Sequence, residues 1–450
     1  MKKNILLLIG LAGFILGILG AFVSLKFVAF MIIGIFVVTL FILDFQRVTY
    51  VVALFLVLDY FIRQYTTLPK IWGELLFAFC LLLWVYKWFF YRKEKAYRWT
   101  PMEFPIFFFV GVGIFLLFIN SPSMRIGLEG FRVVMEYIFW FFVATQLIRT
   151  PTGAKRLVYM LIFIGFCISL DGIRQYIFHV EIPAGWVDKA EASVGTRVFS
   201  IIGSPNILGS LMVLLIPLSL SLVYFEKKIF KKILFGLISL SMVACLLFTF
   251  SRGAWIGCIV AILVFAFIAD RRMLIPLFVG SLLAALFIPS VRDRVIYLLS
   301  DQYVASSTKG GRIGRLLKGL DMLKQNLWFG LGFGRFGGAV AINNKIPDAF
   351  YSDNYYLKMV VETGLLGLSA FLLLLYNVIA WSLRTIHQIK ISRYSYIAQG
   401  AFAGICGVLV HCAFENVFEY TAMTVYFWLL VGVIMYLGYA ANQGLLEKKS

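Results

Sequence analysis

The feature that most constrains this chain is its run of apolar blocks, each about 17 to 23 residues long with few interior charges. That is the length a helix rising ~1.5 Å per residue needs to cross roughly 30 Å of hydrocarbon. Inside a bilayer no water satisfies backbone N–H and C=O groups, so only helices and closed barrels can span it. A barrel needs strands of about ten residues that alternate in polarity, whereas Ile233 to Phe250 is apolar almost all round. The expected fold is therefore all-α, a polytopic transmembrane helix bundle with a large, partly helical extracytoplasmic loop. Composition agrees: 62% of the 450 residues are hydrophobic and 14% charged, against roughly 45–50% and 25% in a soluble domain.

Hydrophobic periodicity predicts about fourteen helices, at 4–23, 25–43, 48–62, 71–91, 104–120, 131–148, 156–178, 206–225, 233–250, 254–270, 273–289, 354–383, 395–417 and 421–440. Lys2 and Lys3 ahead of the first block imitate a secretory signal, but without a convincing small-residue cleavage site the block reads as a retained helix. The net charge of +19 would suggest nucleic acid in a soluble protein. Here most cations flank the apolar blocks, as in Arg92, Lys93 and Lys95, or Lys227, Lys228, Lys231 and Lys232, which marks alternate connections and both termini as cytoplasmic. All six cysteines fall inside apolar blocks and read as small core residues, without metal-binding spacing.

Two outer connections are too long to be turns, 179–205 and 290–353. The second carries nine Lys or Arg against five Asp, an excess of cations on the side where topology calls for fewer. Within it Ile313, Leu316, Leu317, Leu320, Leu323 and Leu327 recur at helical spacing opposite Arg312, Arg315, Lys318 and Lys324, the pattern of a basic amphipathic helix on a membrane surface. Glycines at 330, 332, 334, 337 and 338 then permit tight turns. Arginine's planar fork suits a phosphate, so this loop, Arg252 between two apolar helices, and Arg197 beside the helix start Gly203-Ser204-Pro205-Asn206 are candidates for holding an anionic substrate. Ser204 reads as a helix cap with Pro205 in the first turn, and Asp353 as a cap on the next long helix. Asp171 and Arg174 are spaced to pair on one helix face.

Four stretches occur in order: Thr249-Phe250-Ser251-Arg252-Gly253-Ala254-Trp255; Gly311-Arg312 heading the amphipathic helix; Gly330-Leu331-Gly332-Phe333-Gly334; and Asp353-Asn354-Tyr355-Tyr356-Leu357 through Glu362-Thr363-Gly364-Leu365-Leu366-Gly367. Together they resemble the O-antigen ligase and O-antigen polymerase family, which also includes teichuronic acid polymerases and protein O-oligosaccharyltransferases. The likeness covers roughly 195 to 370 and divides the chain into N-terminal helices 1–195, a ligase-like core 196–383 and C-terminal helices 384–450.

What the resemblance implies is a metal-independent, cofactor-free inverting glycosyltransferase in the bacterial cytoplasmic membrane. Its donor would be a glycan on undecaprenyl pyrophosphate, and its surroundings membrane lipid and other polysaccharide-assembly proteins, with no nucleic acid. Arg252 and Arg312 would grip the pyrophosphate. Family ligases usually carry a histidine before the asparagine; here Asp353 stands there, which tilts the expectation toward a polymerase with Asp353 as catalytic base. Arg197, Asn206, Arg315, Asn354, Tyr355 and Glu362 complete the expected substrate-binding set. The alternatives are a glycan ligase acting on a lipid or protein acceptor, and a transporter or flippase using Asp59, Asp171, Arg174 and Glu415 as a polar path. The latter class is built from related halves, which this chain does not display.

Overall fold

The computed structural model describes residues 44–65, 72–90, 97–181, 196–287, 300–308, 311–347 and 349–446, with isolated positions at 289, 292, 293 and 296. The helices expected at 4–23 and 25–43 lie outside the described residues. Chain order runs α1 (Gln46–Ala53), α2 (Phe55–Tyr65), α3 (Trp72–Phe90), α4 (Glu103–Ile119), α5 (Met124–Met135), α6 (Trp140–Leu147) and α7 (Pro151–Ile177). Then come α8 (Pro205–Phe225), α9 (Ile229–Phe248), α10 (Arg252–Ile268) and α11 (Leu274–Phe287). The long connection contributes α12 (Asp301–Thr308), α13 (Arg312–Leu323) and α14 (Ala339–Asn343), before α15 (Tyr355–Gln388), α16 (Tyr394–His411) and α17 (Thr421–Asn442).

No β-strand occurs among the described residues, and six of their helices are long and apolar enough to cross a membrane: α3, α7, α8, α9, α15 and α17. The chain is a multi-pass helical membrane protein. Burial sorts the bundle into centre and rim: 94% of the apolar window of α17 and 83% of that of α8 is covered by protein, against 22% for α3. Without a hydrophobic drive between helices in lipid, small residues that let backbones approach supply the packing. Gly404 of α16 lies against the Leu214 carbonyl of α8, and Gly407 against Gly257 and Ala261 of α10. This glycine stripe draws α8, α10 and α16 together and so fixes where their ends meet.

The helices expected at 156–178 and 233–250 start earlier, at Pro151 and Ile229, and four others are broken, shortened or extended. The 48–62 segment breaks at Leu54 into α1 and α2, and 131–148 begins earlier, at Met124, and passes through a tight 3-10 turn at Glu136–Phe139 before α6. The 395–417 helix stops at His411, because the Cys412 carbonyl turns away to accept the Tyr355 N–H at 2.8 Å. The 354–383 helix runs on to Gln388 but is interrupted at Gly364, with φ 64° and ψ −170°.

That interruption has a partner. Leu331 and Gly332 donate backbone N–H groups to the carbonyls of Val361 and Glu362 at 2.8 and 2.9 Å, and Leu365 and Leu366 donate to those of Leu327 and Trp328 at 2.9 and 3.2 Å. The glycine-rich segment thus docks on the broken helix and satisfies the backbone groups the break releases, as membrane depth demands. A side chain at Gly364 would collide with the Trp328 backbone. Asn120, at the end of α4, clamps the same segment by donating to the Phe329 carbonyl at 3.0 Å.

Candidate functional site

The amphipathic helix forms where its period predicts, but of the apolar residues in that period only Leu323 is buried, while Ile313, Leu316, Leu317, Leu320 and Leu327 stay exposed. Leu323 packs with Phe336, Leu357, Val360 and Val361, and Gly319 lets Phe336 and Leu357 come close. This seats α13 beside the head of α15 and carries Arg312 and Arg315 to the residues before Tyr355. Arg315 Nη1 donates to Asp353 Oδ2 at 2.7 Å and to the Tyr351 carbonyl at 3.5 Å, while Arg312 Nε lies 4.0 Å from the same carboxylate oxygen. The sequence reading made Asp353 the cap of α15; the cap is instead Asn354, whose Oδ1 accepts the Leu357 N–H at 3.0 Å. Asp353 is left to the guanidinium groups.

A second set of polar contacts starts at the head of α8. Ser204 caps that helix, accepting the Ile207 N–H at 3.4 Å, with Pro205 in its first turn as the sequence indicates. Arg197 Nη2 donates to Asn206 Oδ1 at 2.8 Å, and its Nε to the Thr249 carbonyl at 3.0 Å. The Asn206 amide in turn donates to the Glu415 carboxylate, whose other oxygen accepts the Asn416 N–H at 3.1 Å. Asn416 reaches the Gly337 carbonyl at 2.8 Å and so ties this turn to the glycine-rich segment.

Arg252 opens α10, three residues after the Thr249 carbonyl that Arg197 holds. A Cβ on the neighbouring Gly253 would stand 2.6 Å from Phe414 Cβ and 3.0 Å from His411 Cδ2. Only glycine allows this approach, which brings the start of α10 against the turn that carries Glu415. His411 Nδ1 is 2.8 Å from the Ser210 hydroxyl.

The two sets meet at Gly337, whose carbonyl accepts from the Asn416 amide at 2.8 Å and from the Ser352 N–H at 3.0 Å. Glu415, 1% exposed in the turn after α16, has its carboxyl pushed up to about 7 by burial, with Asp353 acting in the same direction and Arg312 opposing. Burial also holds the Tyr351 phenol well above its ordinary range, reinforced by Glu419, Glu415 and Asp353. Arginines, carboxylates and helix starts from α8, α10, α13, α15 and the turn after α16 therefore share one end of the bundle. Planar guanidinium donors gathered in this way are suited to hold phosphate oxygens, and a carboxylate among them can accept a proton. Among the described residues no group of three His, Cys, Asp or Glu side chains is arranged to hold a metal.

Of the nine residues singled out from sequence, Arg197, Asn206, Arg312, Arg315 and Asp353 enter this network, and Arg252 borders it. The other three serve the scaffold. Asn354 is the cap; the Tyr355 ring packs edge-on against Phe371 and Phe418 at 5.6 and 5.2 Å; Glu362, 1% exposed, accepts the Phe336 N–H at 3.0 Å and so fastens the glycine-rich segment. Glu415 and Asn416 were not placed in the site from sequence. Their signal was an ionisable residue inside an apolar stretch, which marks function by default.

Residues 237–372 match the family model described as O-antigen ligase. This chain carries an O-antigen ligase domain. The match covers under a third of the chain and supports membership of the O-antigen ligase and polymerase family. The matched region runs from within α9 into α15 and contains Arg252, Arg312, Arg315 and Asp353, while Arg197, Asn206 and Glu415 reach it from the flanking segments. Comparison with curated proteins finds no match.

Proposed function

We propose that the protein polymerises glycan repeat units carried on undecaprenyl pyrophosphate, at the outer face of the bacterial cytoplasmic membrane, in the synthesis of a capsule, teichuronic-like or exopolysaccharide chain. The observation that carries this reading is the meeting of Arg312, Arg315 and Asp353, within 4.0 Å, at the head of α15. In the proposed reaction the arginines, with Arg252 alongside, hold the donor diphosphate. An acceptor sugar hydroxyl attacks the anomeric carbon from the opposite face. The bond from that carbon to the diphosphate oxygen breaks, its electron pair leaves with the diphosphate, and the hydroxyl proton passes to Asp353. Guanidinium groups already in place as charge grows on the leaving oxygen stabilise the transition state more than the ground state.

Sidedness is supported by the far end of the bundle. There Lys227, Lys228, Lys231, Lys232, Arg271 and Arg272 crowd the α8–α9 and α10–α11 connections, the signature of a cytoplasmic face; Tyr224 and Asp270, hydrogen-bonded at 3.1 Å, show that these connections lie together. The arginine–carboxylate network is at the other end and would face outward.

In cells, Arg312→Ala and Arg252→Ala are each expected to cut polymer output on the order of a hundredfold or more while membrane protein level stays normal. Full-length polymer from both variants would contradict the diphosphate clamp. A single transferred glycan on a discrete acceptor, in place of a ladder of repeats, would assign the same donor site to a ligase.

A further inference from the structure

Beside the residues that lead into α15 lies an ion pair that the proposed reaction does not use. Lys358, in the first turn of α15, donates its ammonium to Glu419 Oε2, and the two side chains are 3% and 5% exposed. Glu419 belongs to the tight 3-10 turn Val417–Glu419 between α16 and α17, and its other oxygen accepts the Ala339 N–H at 2.9 Å. One carboxylate therefore cross-links three separate pieces of the chain: the turn after α16, the head of α15 and the end of the glycine-rich segment. Burying two charges costs solvation that their attraction little more than offsets, and a neutral pair of the same volume holds a fold as well. A charged pair here is more than packing requires.

What the pair holds is the backbone beside Asp353. A Cβ on Gly338 would stand 2.6 Å from Glu419 Oε1 and 2.8 Å from Lys358 Nζ, so the segment lies directly on the two charges. The preceding Gly337, at φ 67°, presents its carbonyl to the Ser352 N–H at 3.0 Å and to the Asn416 amide at 2.8 Å. Ser352, 1% exposed, donates its hydroxyl to the Asn354 carbonyl at 3.0 Å and accepts the Asn354 N–H at 3.2 Å. Asp353 stands between these two anchored residues, with Oδ2 on Arg315.

We propose that Lys358 and Glu419 are positioning residues: through Gly337 and Ser352 they fix the backbone that carries Asp353, and so hold its carboxylate where the acceptor hydroxyl arrives. This rests on the polymerase reading above and adds to it the device that aims the base. A carboxylate that exchanges a guanidinium for a hydroxyl proton is not placed by the guanidinium throughout, so its backbone has to be held from elsewhere. Misplacement by about 1 Å costs on the order of a hundredfold in rate. The pair acts on the chemical step, while capture of the donor is left to the arginines.

The test sets the kinetics of elongation of a lipid-diphosphate-linked repeat by the purified full-length protein beside its melting temperature and its binding of inorganic pyrophosphate. In the double variant Lys358→Met with Glu419→Gln both charges are gone, but the amide oxygen still accepts the Ala339 N–H. It is expected to melt near the wild-type temperature and to bind pyrophosphate as wild type does, with kcat lower by about ten- to a hundredfold and KM for the donor within about twofold. In an Asp353→Asn background the same change is expected to cost at most about twofold further, since the pair acts through that carboxylate. Glu419→Asp, which keeps both charges and shortens one arm by a methylene, covers the case in which the double variant does not fold; it is expected to lose about three- to tenfold in kcat at the same KM. Unchanged kcat in the folded variants, a loss carried by KM or by pyrophosphate binding, or a full additional loss on Asp353→Asn would make the pair scaffold, and this inference falls alone. No elongation by wild type, or equal elongation by Arg312→Ala, overturns the polymerase reading and the inference with it.

Discussion

Asp353 is asked to do two things that pull against each other. Its Oδ2 accepts from Arg315 at 2.7 Å and lies 4.0 Å from Arg312, so it neutralises the arginines; in the proposed reaction it must be released to take a proton. A diphosphate resolves the conflict by supplying the arginines with a better partner. Asp353→Asn separates the two duties. The amide cannot accept the proton, and transfer is expected to fall by about 10²- to 10⁴-fold, whereas pyrophosphate binding is expected to hold or strengthen, because a competing anion is gone. Turnover of a lipid-linked donor together with calorimetric binding checks both; a variant that binds weakly and turns over normally would reverse the assignment. At this scale the sequence spoke clearly about arginines, whose cost at a membrane demands an explanation, and less clearly about Glu415. The apolar pattern of α16 continues past its true end at His411, so Glu415 read as a helix residue, not as part of a turn at the mouth of the site.

Among the elements, α13 was legible to within a few residues because a basic amphipathic helix writes its own period, and its Leu323 face finds Phe336, Leu357 and Val361 without distortion. The break in α15 was not. Leu365, Leu366 and Leu368 around Gly364 suit an uninterrupted helix, and what breaks it is the pairing of its backbone with residues 327–332, a tertiary choice that no local pattern encodes. Gly364→Ala tests how much the site depends on that choice. The position has φ 64° and no room beside the Trp328 backbone, so a loss of about 2–4 kcal/mol of stability is expected, read as a lowered melting temperature in detergent. Gly111→Ala, at a position with no atom near a new Cβ, is the control and should melt as wild type does. Equal melting of the two variants would mean that the docked glycine segment contributes little to the fold.

At the scale of the whole molecule the chain is a bundle with two chemically different ends. One gathers lysines and arginines in short connections; the other gathers arginines, carboxylates and helix starts around a long loop. Fold class was readable from block length alone, because the bilayer fixes it. Which helix ends converge was not, since that is set by close contacts such as Gly404 on Leu214. A single cysteine at Lys345, in a background with Cys167 and the other native cysteines replaced, is expected to react with a membrane-impermeant thiol reagent on intact cells, and one at Lys228 only after permeabilisation. The opposite pattern would put the arginine network on the wrong face for an outer-leaflet polymerase.

The most direct measurement is elongation by the purified protein. Incubated in detergent with a lipid-diphosphate-linked oligosaccharide repeat, with no second compartment and no nucleotide sugar, wild type should build a ladder of repeats that Arg312→Ala does not. An unchanged substrate with wild type, or an equal ladder from Arg312→Ala, would contradict the claim that these guanidinium groups hold the leaving diphosphate of a glycosyl transfer.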